Sequence, residues 1–191
     1  MNVSDPNENA MTPSVISRNR LECLFDGIFA IAMTILVLEL KVPDLTDPHS
    51  AGEMGRKMAV YAPVFGSYVL SFVALGVFWF RHNEQFHHCQ FITNRMLVFQ
   101  LAQLAMAAFF PFCAALLGRY PSNRLSMVFY SGCVFIYLWS VWANWVVAKR
   151  AGALKPEAVA GQYARIRSRL RRGCLVITLL FGSSLYKLLT Q

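Results

Sequence analysis

The sequence is short of charge. Only 15% of its 191 residues are Asp, Glu, Lys or Arg, and just 10 are acidic. A soluble domain runs nearer a quarter charged, so a soluble globular enzyme fits this composition poorly. Other things are missing too. The five cysteines (Cys23, Cys89, Cys113, Cys133 and Cys174) show no CxxC spacing and are odd in number, so neither a disulfide framework nor a zinc site follows. They read as small apolar packing residues. There is no nucleophile with its base, no phosphate loop and no pair of catalytic carboxylates, so no enzyme is expected. There is no Gly-Tyr-Gly filter loop. Residues 1–17 lack the charged start and small-residue cleavage site of a signal peptide, and read as a flexible cytosolic lead-in.

What the chain has instead is apolar bulk: 56% hydrophobic residues and a mean hydropathy of +0.43. These residues come in blocks. Met58–Phe80, Met96–Gly118 and Leu125–Ala148 contain no charged residue at all. Each exceeds the roughly 20 residues that a helix needs to cross the hydrocarbon layer. A shorter block, Gly173–Tyr186, is closed by Lys187, whose stem can snorkel. Leu21–Leu40 is apolar but holds Glu22, Asp26 and Glu39. The expectation is an all-α polytopic membrane bundle with five spans, at about 20–42, 57–80, 95–118, 124–148 and 172–189. Residues 18–191 then form one transmembrane domain. Contiguous rather than alternating apolar residues favour helices over barrel strands.

The net charge of +8 comes from 18 Lys and Arg residues lying between or beside the blocks. A membrane surface explains them, and nucleic acid is not an expected partner. With the N-terminus in the cytoplasm, 12 basic residues fall inside and 6 outside. The positive-inside rule therefore favours that orientation in a cell inner membrane. The run Arg165–Arg172 reads as an anchor on anionic lipid, and Pro156–Arg172 as a basic helix lying along the membrane.

Charge inside a span is a pointer to function, so the first block stands out. Asp26 needs a donor there, either Arg20 or a side chain from another helix such as His82. The plainer reading is a polar network that pins helix packing. Gly27, Ile31, Thr34, Ile35 and Leu38 share one helical face. That stripe suits lipid or core. The alternative is a pore lining, where rings of Ile and Leu from several copies would gate by dewetting. Glu39 would then sit at the outer mouth and concentrate cations.

Other clusters read more simply. His82, His87, His88 and Cys89 do not follow a structural zinc spacing, and no metal is expected. Trp79 suits a headgroup-level interface. Trp139, Trp142 and Trp145 suit packing, and Asn144, Gln100 and Gln103 suit bonds across helices.

The stretch from Arg20 to Leu40, with Phe25-Asp26-Gly27, Ala30-Ile31-Ala32, Thr34 and Leu36-Val37-Leu38-Glu39, resembles the first-helix signature of the bacterial transmembrane protein 175 family of potassium channels. The resemblance continues at Phe78-Trp79-Phe80-Arg81-His82 and at Pro111-Phe112-Cys113-Ala114-Ala115-Leu116-Leu117-Gly118, and runs to about Lys149. It implies a tetrameric, potassium-selective leak channel without cofactors. Ile31 would form the tightest constriction, and Thr34, Ile35 and Leu38 would continue the pore. Arg20, Asp26 and His82 would make a polar network supporting assembly. The sequence departs from the family pattern at Leu24-Phe25, where members carry Phe-Ser, and at Asn94, where an acidic residue is common. Bacterial members have six spans against five here, so the resemblance implies a divergent or C-terminally shortened member. Two other readings keep the same spans: a non-conducting scaffold or partner subunit, and a small proton-coupled transporter using Asp26.

Overall fold

The computed structural model describes residues 17–157 and 163–190. The lead-in expected over residues 1–17 therefore lies, but for Ser17, outside the described residues. In order, the elements are α1 (Arg18–Leu38), α2 (Ala51–Val60), α3 (Ala62–His88), α4 (Asn94–Arg119), α5 (Arg124–Arg150) and α6 (Tyr163–Leu189). All except α2 are long and apolar enough to cross a membrane, giving the five spans expected.

Proline and capping residues set the breaks. α1 ends at Leu38 with Glu39 as its C-cap, and Pro43 has no N–H to return to the Glu39 carbonyl, so the helix does not continue. The second apolar block starts with a separate short helix, because Pro63 has no N–H to return to Ala59 and the chain breaks at Tyr61. α2 opens on Ser50, whose hydroxyl accepts from the Glu53 N–H at 3.2 Å. The Glu53 carboxylate in turn accepts from the Thr46 and Asp47 N–H groups at 2.9 and 3.1 Å and pairs with Lys57 at 2.9 Å. The 46–53 turn is thereby closed around one carboxylate. Thr93 and Asn123 cap α4 and α5 by accepting from Met96 and Leu125 N–H groups.

Two helices run further than their apolar blocks. α3 continues through Arg81–His88, steadied by the Arg81–Glu84 pair at 2.9 Å. α6 begins at Tyr163, so the basic run is the first part of the last span and not a separate helix along the membrane. The start of that expected helix falls partly on residues 158–162, outside the described residues. α6 lies antiparallel to α5. Lys149 sits 4.6 Å over the Tyr163 ring, the Cys174 thiol donates to the Leu138 carbonyl at 3.4 Å, and Phe181 stacks on Phe135 at 5.2 Å.

α1, α3 and α4 pack against one another, α5 lies against α4, and α6 lies chiefly against α5. The core is aromatic: Phe78 stacks on Tyr137 at 3.9 Å and meets Phe110 at 5.5 Å. Tyr137 donates to the Phe78 carbonyl at 2.8 Å. α3 and α4 approach closely at Gly118, where a Cβ would lie 3.1 Å from Val64 Cα. At the basic end of the bundle, a Cys89–Leu154 backbone bridge ties the α3–α4 connection to the segment after α5.

Candidate functional site

The sequence of α1 gives it two faces. Leu21, Phe25, Phe29, Ala32 and Leu36 recur at steps of three and four, and all are buried against α3 and α4. Across the helix lie Leu24, Gly27, Ile31, Thr34, Ile35 and Leu38, all exposed. Ile31 is 60% exposed and Leu38 is 72% exposed. A helix whose buried stripe is satisfied within the chain thus presents a second apolar stripe to whatever lies outside it. The Thr34 hydroxyl donates to the Ile31 carbonyl at 2.8 Å. Its proton is tied to the helix, so its free lone pairs are what it offers outward.

The structure does not bring Arg20, Asp26 and His82 together within one chain. Six residues at 100° each place Arg20 and Asp26 about 120° apart around α1. Arg20 is exposed, on the same face as Ile31 and Leu38, and makes no side-chain hydrogen bond or ion pair among the described residues. Asp26 accepts from the indole N–H of Trp79 on α3 at 2.8 Å. Trp79 is therefore the donor to this carboxylate, and 43% of its surface stays exposed. The sequence reading gave Trp79 an interfacial place and did not pair it with Asp26. The joint position of a Trp and an Asp, each at the basic end of an apolar block, is the one signal that pointed that way.

His82 faces inward. Its ring stacks on Phe25, with centroids 3.3 Å apart and planes 9° from parallel, and it is 1% exposed. Phe25 stands where the family motif has Ser, so an aromatic plate here occupies the place of a hydroxyl. Further polar groups are buried in the bundle: Gln85 on α3, Gln100 and Gln103 on α4, and Asn144 on α5. Asn144 donates to Gln85 at 2.9 Å, an amide bond across two spans. Gln85 is the member of this layer that the sequence reading missed, because it lies beyond the apolar block.

Glu39, half-buried at the C-cap of α1, lines a cavity of about 420 Å³ at the opposite end of the bundle, with Lys41, Tyr61, Tyr68 and Arg119 among its walls. Two cations share that cavity with the carboxylate. Among the described residues no three His, Cys, Asp or Glu side chains are gathered to hold a metal ion.

Five membrane-length helices in one bundle, with an unpartnered stripe on the first, define a multi-pass α-helical membrane protein. The family model of the endosomal/lysosomal potassium channel TMEM175 matches residues 20–111. A potassium channel of Chamaesiphon minutus is 30% identical over 168 residues, covering 79% of this chain and 79% of its own length. A potassium channel of Streptomyces collinus is 28% identical over 158 residues, 79% of this chain and 75% of that one. The endosomal/lysosomal proton channel TMEM175 of Rattus norvegicus is 29% identical over 143 residues, which are 70% of this chain but 28% of the rat protein. The crystal structure of a lysosomal potassium-selective channel TMEM175 homolog from Chamaesiphon minutus superposes with a TM-score of 0.75 at 24% identity, over 88% of this chain and 87% of that one. The chain belongs to the TMEM175 family of ion channels.

Proposed function

We propose that this chain forms a passive, potassium-selective leak channel in the cell inner membrane, as a homotetramer with the N-terminus of each copy in the cytoplasm. One α1 cannot enclose a path, so conduction requires several copies around an axis. The observation that carries the reading is the second face of α1. Ile31, Thr34, Ile35 and Leu38 are exposed among the described residues of their own chain and form one continuous stripe.

Facing a common axis, four Ile31 side chains would make a narrow apolar neck. Such a neck holds water poorly and makes an ion shed part of its shell. Potassium loses its shell more readily than the smaller sodium ion, which gives selectivity without a carbonyl filter. The Thr34 oxygen, its proton held by the helix, supplies a partial substitute for a lost water. Ile35 and Leu38 continue the lining toward Glu39 at the outer mouth, where the pull of Glu39 on cations is offset by Lys41 and Arg119. Asp26, fixed by Trp79, sets how α1 sits on α3. His82 supports α1 from behind through Phe25, and Arg20 lies on the stripe face, where a neighbouring copy reaches it. The partners are potassium ions, lipid and other copies of the chain.

The test is ion flux from the purified full chain in liposomes. A potassium gradient should drive non-saturating flux that collapses with the gradient, faster than sodium flux under the same conditions. No flux above empty liposomes would leave a scaffold or partner subunit. Saturable uptake driven by a pH gradient would instead mark a proton-coupled transporter.

A further inference from the structure

The first turns of α6 carry five arginines, Arg165, Arg167, Arg169, Arg171 and Arg172, within eight residues. All five are exposed, and none meets an acidic side chain in a salt bridge among the described residues. They are not spread evenly around the helix. Tyr163, Ile166, Leu170 and Cys174 form the buried stripe against α5. Steps of four and three put Arg165, Arg169 and Arg172 in one row, while Arg167 and Arg171 lie on the other flank.

The first row borders a cleft of about 180 Å³ lined by Glu84 of α3 and by Arg165, Ile166 and Arg169. Glu84 is paired with Arg81 at 2.9 Å, and neither guanidinium group of the cleft is in a salt bridge among the described residues. Two forked donors beside each other are suited to an anionic phosphate oxygen pair. The same helical face then changes character. Beyond Arg172 it presents Val176, Leu179 and Leu180, which are 58%, 74% and 54% exposed. From Arg169 to Leu180 the helix rises by about 16 Å at 1.5 Å per residue. One face of α6 thus offers positive forks at one end and an oily track along the rest.

We propose that the cleft between α3 and α6 binds the phosphate headgroup of an anionic phospholipid, with Arg165 and Arg169 as its ligands and an acyl chain lying along Val176, Leu179 and Leu180. The continuity of the charged and apolar parts selects a lipid over a free phosphate or an acidic protein segment, neither of which needs the oily track. The site rests on the fold alone and does not depend on what passes through the channel.

The experiment titrates the purified full chain in nonionic detergent with phosphatidylglycerol, phosphatidylcholine or glycerol phosphate, and reads bound lipid by native mass spectrometry. Phosphatidylglycerol should bind well ahead of phosphatidylcholine, and glycerol phosphate should not compete. At about one factor of five per basic residue near a membrane surface, Arg165→Gln with Arg169→Gln should weaken phosphatidylglycerol binding by about 30-fold. Arg167→Gln with Arg171→Gln, on the other flank and outside the cleft, should weaken it far less. Equal losses in both pairs would reduce the site to diffuse charge and overturn the proposal, as would competition by glycerol phosphate or no preference over phosphatidylcholine. If the glutamine pair fails to fold, Arg165→Lys with Arg169→Lys keeps the charge but removes the forks. Binding should then fall severalfold, and unchanged binding would overturn the assignment.

Discussion

The two faces of α1 make opposite demands on two neighbouring aliphatic side chains, and that contrast can be measured. Leu36 is 1% exposed and Ile31 is 60% exposed. Truncating a fully buried Leu or Ile to Ala costs roughly 2–5 kcal/mol, from lost contacts and the cavity left behind. Leu36→Ala should fall in that range. Ile31 has about two-fifths of its surface covered within its own chain, so Ile31→Ala should cost about 1 kcal/mol on the same scale. For a chain of this length, 1 kcal/mol corresponds to roughly 2–4 °C in Tm. Tryptophan-monitored melting in detergent should therefore show a fall of roughly 5–15 °C for Leu36→Ala, and about 3 °C for Ile31→Ala. Flux should reverse the order. Widening the neck and relieving about 1.4 kcal/mol of dehydration barrier raises the rate about tenfold. Ile31→Ala liposomes should leak potassium about that much faster and discriminate less against sodium, while any folded Leu36→Ala protein should conduct near the starting rate. Equal loss of stability in the two variants, or an Ile31→Ala flux no different from the parent, would refute the assignment of the faces.

Other consequences follow from the packing. Tyr137→Phe removes the bond to the Phe78 carbonyl but keeps the ring stack, because that carbonyl also accepts within α3; it should cost about 1 kcal/mol by thermal melting. Gly118→Val sets a branched side chain against the α3 backbone at Val64 and against Ser67, both within 3.2 Å of a bare Cβ. Overpacking of that kind costs about 1–3 kcal/mol, and the melt should shift accordingly while Gly55→Val, in open space, should not lower Tm. Three partners, the Thr46 N–H foremost, then Lys57 and the Asp47 N–H, hold the Glu53 carboxyl down from 4.5 to about 2. A lowered value in the folded state means that its contribution is fully present above about pH 4.5 and is lost only as pH falls through about 2. Hydrogen exchange of the 44–48 segment should therefore stay slow at pH 3 in the parent, whereas Glu53→Gln should exchange faster at pH 3 and at pH 7 alike.

Much of this molecule is written in local sequence, and the reason is solvent. A helix in hydrocarbon must satisfy its own backbone and cover its surface with apolar side chains, so a span announces itself as a block without help from distant residues. The same local physics groups the residues of α1, since a period of 3.6 residues puts Leu21, Phe25, Phe29, Ala32 and Leu36 on one side and Ile31, Thr34, Ile35 and Leu38 on another; which side is buried was left to the packing. What local sequence does not contain is the partner. Asp26 had Arg20 and His82 as candidates, and the bundle gave it Trp79, because the crossing of α1 and α3 sets the indole N–H beside it. Residues outside the apolar blocks escaped a reading keyed to hydropathy. Arg81–His88 and Tyr163–Arg172 are helical although polar, and it is their continuation past the blocks that brings Glu84 beside Arg165 and Arg169. Composition and period thus determined the number of spans and which residues of α1 share a face. Only the packing of α3, α4, α5 and α6 decided which charges meet, because such meetings depend on distances between segments far apart in the chain.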